Sequence, residues 1–291
     1  MRSVPVSIIE KLSAKLYLDK RTGEVKEFCH SDNRAESKAG VVQSLRKRRD
    51  LINANLTEPE TALWVTLTYA ENMRDTKRLY EDFRRFWQRF RYYLSKQGHP
   101  PAEYITAAEP QARGAWHLHC LFLFPGKAPF IPNSDMAHIW GHGFTKTKSL
   151  HGLDNPGLYL TAYLGDMELS EALRAGTARG KIAEASTTDE QGKRQKKAII
   201  KGARLRLYPP GFNLYRSSKG VQRPEIWQTT EAEAQEMVHG APLTYEKTIS
   251  VTDEAGTIKN IINYRQYNRA LKEKEQLDPT QKEVSSEDTR L

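Results

Sequence analysis

An α+β fold, with an antiparallel sheet, helices mainly on one face and flanking extensions, is what this sequence predicts. Three observations carry that expectation. Short runs rich in β-branched and aromatic residues, such as Leu63–Tyr69 (Leu-Trp-Val-Thr-Leu-Thr-Tyr), read as strands. Between the first two of them, large apolar residues recur at Leu79, Phe83, Phe86, Phe90 and Leu94, the spacing of one helical face. The central elements then follow in the order β-α-β-β-α-β, the ferredoxin-like split βαβ pattern.

Residues 14–28 read as a hairpin turning at Thr22-Gly23. Residues 36–55 are helix-like and contain the basic run Arg46–Arg49. After the strand at Leu63–Tyr69, a helix is predicted from Asp75, a good N-cap, to Lys96. Gly98-His-Pro-Pro101 ends it. Glu103–Glu109 is a second strand and Ala115–Phe124 a third, joined by Pro110–Gly114. A short helix is expected at Asn133–Gly141, a fourth strand at Gly143–Lys148, and a further helix at Pro156–Leu169. Order returns at Ala198–Tyr208, and 243–268 reads as another hairpin. The expected division is therefore an N-terminal hairpin and basic helix over 1–60, and a central domain over 61–225. Within the latter, 170–200 is a flexible basic insertion rich in Ala, Gly, Ser, Thr and Lys. A C-terminal extension covers 226–270, and the charged residues 271–291 form a disordered tail.

The chain has 291 residues, and its 38% hydrophobic share allows a real core but implies polar flanks. A formal net charge of +9 favours polyanionic partners, nucleic acid first. The two cysteines, Cys29 and Cys120, form no Cys-x-x-Cys arrangement, so no disulfide framework is expected and a reducing, cytoplasmic setting fits. No signal-peptide-like segment or membrane-length apolar run is present, so no membrane association is expected.

Alternation along Ala115–Phe124 puts His117, His119, Leu121 and Leu123 on one face. Trp116, Leu118, Cys120, Phe122 and Phe124 take the other, which is wholly apolar and should pack on helices. Two neutral imidazoles side by side are half of a metal site. If the hairpin turns near Arg113, Glu109 falls opposite His117 on the neighbouring strand. Two imidazoles and one carboxylate, with positions left open, make a Lewis-acid site. The same histidines also read as ordinary half-buried strand residues. Downstream, Tyr159 and Tyr163 lie four apart, on one face of a helix. Alone they read as core aromatics; after a metal-site candidate they read as nucleophiles.

Trp64-Val-Thr-Leu-Thr-Tyr, then Glu109 with His117-Leu-His119, then Tyr159-Leu-Thr-Ala-Tyr163 resemble the three ordered motifs of the HUH endonucleases. Among these the chain is most similar to the rolling-circle replication initiators of small plasmids and filamentous phages. Arg204–Ser218 also resembles a segment that follows the tyrosine helix there. The resemblance covers roughly residues 60–225 and makes 61–225 an HUH nuclease domain. It implies that Glu109, His117 and His119 bind Mg²⁺ or Mn²⁺, and that a tyrosine joins the 5′-phosphate of the nicked strand, freeing a 3′-hydroxyl to prime synthesis. Tyr163 is the expected principal nucleophile and Tyr159 the second. Where related motifs carry a lysine three residues after each tyrosine, this chain has Ala162 and Asp166; Asp166 or Glu168 could instead serve as a base.

Expected DNA contacts are Arg113, Trp116, Lys146, Lys148, Arg204 and Arg206, with Trp116 or Tyr208 stacking bases. The basic clusters Arg46–Arg49, Arg84/Arg85/Arg89/Arg91 and Lys193–Lys197 could track the phosphate backbone. His138 and His142, four apart, read as part of a structural turn. No Gly-x4-Gly-Lys-Ser/Thr loop is present, so a host helicase and polymerase are expected partners, with single-stranded or hairpin origin DNA as substrate. The alternatives are a two-tyrosine transposase or relaxase-like strand transferase, a zinc hydrolase using the same triad, and a non-catalytic nucleic-acid-binding module.

Overall fold

The computed structural model describes residues 8–13, 15–28, 31–148, 150, 157, 160–161, 164–188, 194–253 and 256–268. Cys29, Tyr159, Tyr163, Lys193 and the tail 271–291 lie outside the described residues. The chain divides into two compact units, 1–222 and 223–291, each described by itself.

In the first unit the elements run β1 (Ile9–Lys11), β2 (Leu16–Asp19), β3 (Glu24–Glu27), α1 (Lys38–Asn55), β4 (Ala62–Thr68), α2 (Thr76–Lys96), β5 (Glu103–Pro110), β6 (Trp116–Leu123), α3 (Asn133–Trp140) and β7 (Thr145–Lys148). They continue with β8 (Met167–Glu168), α4 (Leu169–Arg174), β9 (Ile182–Thr188), β10 (Arg194–Ile200) and β11 (Tyr215–Ser217). The central sheet has the order β11-β5-β6-β4-β7, every pair antiparallel. Its inner four strands have the split βαβ order, so the α+β expectation holds. β11, unforeseen from sequence, is the fifth strand, and it comes from the segment 204–218.

α2 begins where the Asp75 carboxylate accepts from the Lys77 and Arg78 amides at 2.8 and 3.2 Å. Its buried face of Leu79, Phe83, Phe86, Phe90 and Leu94 packs on Val65, Leu67, Leu118, Cys120 and Phe122. Each such phenyl contributes about 1.5–3 kcal/mol by leaving water. α3 closes the same face through Met136, Ile139 and Trp140. Gly141, left-handed at φ 71°, ends α3 and lets the chain turn into β7. Burial pushes the Cys120 thiol up to about 12, so it packs as an inert apolar group.

The second face is covered too. Leu51, Ile52 and Leu56 of the α1 region pack with Trp64, Ile105 and Leu121. The sequence offered no way to see this, because the amphipathic pattern of α1 is weak and interrupted by charges.

Two stretches differ from expectation. Residues 170–200 are not a structureless excursion: β9 and β10 pair along their length, and β8 adds to β10. Met167, Ala172, Ile200 and Ala203 give this sheet a small core that the polar composition hid. The helix expected at 156–169 ends early. Gly157, Leu160 and Thr161 are helical, but by Leu164 the chain has left the helix. There the Asp166 carboxylate accepts from the Gly202 amide at 2.8 Å and from Lys201 Nζ at 3.0 Å, and Glu168 pairs with Ile199.

The second unit holds α5 (Glu231–Met237), opened by a Thr230–Glu233 capping box, and the hairpin β12 (Leu243–Thr252) with β13 (Ile258–Tyr267). Among the described residues no helix is long and apolar enough to cross a membrane.

Candidate metal centre

The β5–β6 turn decides which side chains meet. Gln111 donates to the Ala115 carbonyl at 2.8 Å and Gly114 to that of Gln111 at 2.7 Å, with Gly114 at φ 86°. A side chain at 114 would also meet Arg74 Nε at 3.1 Å. This tight turn sets Glu109 directly opposite His117, the register the hairpin arithmetic predicts. Thr66 and Thr68 of β4 lie across from His119 and His117.

Glu109 Oε1 lies 3.5 Å from His117 Nε2, and Oε2 lies 3.2 Å from His119 Nε2. One ligand atom from each of the three residues falls within 4.8 Å of the others. The imidazoles stand almost perpendicular, 4.6 Å apart. His119 is oriented twice over. Its ring stacks on Trp64 at 5.4 Å and 1°, and its Nδ1 shares a hydrogen bond with Thr66 Oγ1 at 3.2 Å. That contact leaves Nε2 facing the carboxylate. His117 Nε2 is buried with no hydrogen-bond partner, an arrangement that costs free energy unless something else coordinates it. Two nitrogen donors and one carboxylate, one donor orphaned, fit a divalent cation with open positions.

Burial by itself would raise the Glu109 pKa. The Arg204 guanidinium at 3.1 Å, together with His117 and His119, outweighs it and holds the carboxyl well below its usual range. Burial lowers the His119 pKa against the opposing pull of Glu109. At neutral pH the triad is therefore one carboxylate with a neutral His119. Because the His119 value is depressed on folding, the unfolded chain takes up that proton first as pH falls. Its contribution is complete above the ordinary histidine pKa of about 6.5 and is lost as pH drops through the lower folded value. Glu109, also depressed, is lost at still lower pH. Mn²⁺ affinity and melting temperature are thus expected to be flat above about pH 6.5 and to decline together below it. Titrations of both across pH 5–8 check this; affinity that rises on acidification would contradict it.

The other anticipated residues separate into groups. Lys146 and Lys148 are exposed on the edge strand β7, opposite Thr66 and Trp64, and so lie on the histidine side of the sheet. Arg113 is exposed at the hairpin turn, with Nε donating to Gln111 Oε1 at 2.9 Å. Arg206 is exposed and donates to the Arg179 carbonyl at 3.3 Å. Trp116, by contrast, is 3% exposed on the helix-covered face, stacked 4.9 Å from Phe212, with its indole N–H on the Arg74 carbonyl. It cannot stack a base. Tyr208 is equally enclosed, and burial pushes its phenol far up. Arg204 is turned inward, not toward solvent. Besides Glu109 it reaches the Asp166 and Pro110 carbonyls at 2.9 and 2.8 Å and Glu171 at 3.2 Å. Asp166 and Glu168 are paired with Lys201 and Lys197, so neither offers a free base. His142 sits 3.6 Å from the buried Asp82, which also accepts from the Tyr69 hydroxyl at 3.1 Å; this is a structural cluster at the α3–β7 turn.

The chain flanking both tyrosines is tied close to the triad. The Tyr208 hydroxyl donates to the carbonyl of Ala108, the neighbour of Glu109, at 2.9 Å and reaches that of Leu164, the neighbour of Tyr163, at 3.4 Å. The Arg204 amide donates to the Gly165 carbonyl at 3.1 Å. Sequence reasoning missed Thr66 and Trp64 as partners of His119; their alternation with His119 across β4 and β6 was the available signal.

No curated protein and no solved structure matches the chain. Residues 62–168, which contain β4 to β7 and the whole triad, match a family model described as Replication-associated protein, of the ORF2 group, and this region of the chain belongs to that replication-associated, rolling-circle type of protein.

Proposed function

We propose that this protein starts rolling-circle replication by nicking and rejoining single-stranded or hairpin origin DNA through a covalent 5′-phosphotyrosine. The observation that carries the reading is the Glu109–His117–His119 triad on one sheet face, with the chain on either side of the two tyrosines fastened beside it. A divalent cation, Mg²⁺ or Mn²⁺, held by those three side chains supplies Lewis-acid polarisation of the scissile phosphate.

The protein's own groups do the rest. Arg204 keeps Glu109 ionised, and Thr66 and Trp64 keep His119 in one orientation. The Tyr163 oxygen attacks phosphorus; its bond to phosphorus forms as the bond to the 3′-oxygen breaks, and the phenolic proton leaves. Rejoining reverses the step, and Tyr159 permits a second transfer without release of DNA. The exposed Lys146, Lys148, Arg113 and Arg206 supply non-specific attraction to the backbone. The enzyme would act in the cytoplasm, with a host helicase and polymerase extending the freed 3′ end.

A labelled single-stranded oligonucleotide pool incubated with Mn²⁺ tests this. The expected result is a protein–DNA adduct that survives denaturation and is absent in Tyr163→Phe. Turnover without an adduct would favour a metal hydrolase, and binding without cleavage a non-catalytic module.

A further inference from the structure

Helix α1 precedes the matched segment and turns an inward stripe of Val41, Leu45, Arg48, Leu51, Ile52 and Leu56. Arg48 is the charged member, 0% exposed. Taking a guanidinium out of water is costly unless its donors are satisfied, yet Nε and Nη2 have no partner. Packing alone would favour methionine or leucine at this position.

What Arg48 does reach is the segment bearing the two tyrosines. Nη1 donates to the Leu160 carbonyl, and to Thr161 Oγ1 at 3.1 Å. Farther along α1, Asn53 Oδ1 accepts from the Gly157 amide at 3.0 Å. A Cβ at 157 would collide with that oxygen, so only glycine permits the approach. Leu160 is buried among Leu51, Ile52 and Leu121. The guanidinium is also near enough for its charge to bear on Glu109 and His119.

We infer that Arg48 is a positioning residue, through which α1 seats the tyrosine-bearing segment beside the Glu109–His117–His119 triad. Its consequence for nicking rests on the function proposed above; the contact does not. The basic run Arg46–Arg49 is then not one DNA-binding face, because its third member is turned into the protein.

Full-length Arg48→Met, Arg48→Lys and Thr161→Val proteins test this with two readouts. The first is amide hydrogen exchange over residues 157–164. It should quicken about tenfold or more in Arg48→Met and Thr161→Val while β4 and β6 keep their protection. Unchanged exchange there, or loss of protection spread evenly over the sheet, overturns the inference. The second is adduct formation with the oligonucleotide pool and Mn²⁺. At saturating DNA the Arg48→Met rate should fall about a hundredfold, with half-saturation unchanged and partial recovery in Arg48→Lys. A raised half-saturation with an unchanged maximal rate would make Arg48 a DNA contact and overturn it as well. If the wild type forms no adduct, the nicking proposal fails, and the exchange measurement still decides the role of Arg48.

Discussion

His119→Ala is expected to lower Mn²⁺ affinity by roughly a hundredfold or more, since losing only a group that orients a ligand costs about 10–100-fold. The reason is the arrangement of donors. His119 and His117 both turn Nε2 toward the Glu109 carboxylate, and the three are the metal-capable His/Cys/Asp/Glu group found among the described residues. Removing one imidazole leaves a nitrogen and a carboxylate, too few to compete with water for a hard divalent ion. The fold should survive, because His119 is partly exposed at the site and Trp64 keeps its packing on Leu121 and Ile105. Thr66→Val, which removes only the Nδ1 partner, should give a smaller loss in the same direction. Calorimetric titration with Mn²⁺ measures both. Equal affinity in wild type and His119→Ala would remove the triad as the metal centre.

Arg204→Met is expected to destabilise the protein by about 3–5 kcal/mol, the cost of leaving one member of a buried ion pair alone. Arg204 is 7% and Glu109 9% exposed, so solvent cannot make up the lost charge. The substitution also frees the Asp166 and Pro110 carbonyls and Glu171. With the guanidinium gone, burial acts on Glu109 with less opposition and its pKa moves up. The variant should therefore bind Mn²⁺ more weakly and with a steeper dependence on pH. A cycle with Glu109→Gln separates the terms: the double variant should be more stable than the sum of the single losses implies. Denaturant unfolding reads the effect. A loss under about 1 kcal/mol would mean that the pair is screened like a surface ion pair.

Much of this protein can be read from local pattern. The periods of two and of 3.6 residues located four strands and α2 with its Asp75 cap, and the hairpin length placed Glu109 across from His117. Those features depend on neighbours within a few residues or across one turn, and backbone geometry leaves them little freedom. The side on which a charged or aromatic residue ends up is another matter. Arg48, Trp116 and Arg204 look in sequence like surface groups for nucleic acid, and each is buried. Arg48 meets a carbonyl 112 residues away and Arg204 one 94 residues away. The desolvation each accepts is offset only by partners that the folded chain brings together, so no window of sequence could have weighed it.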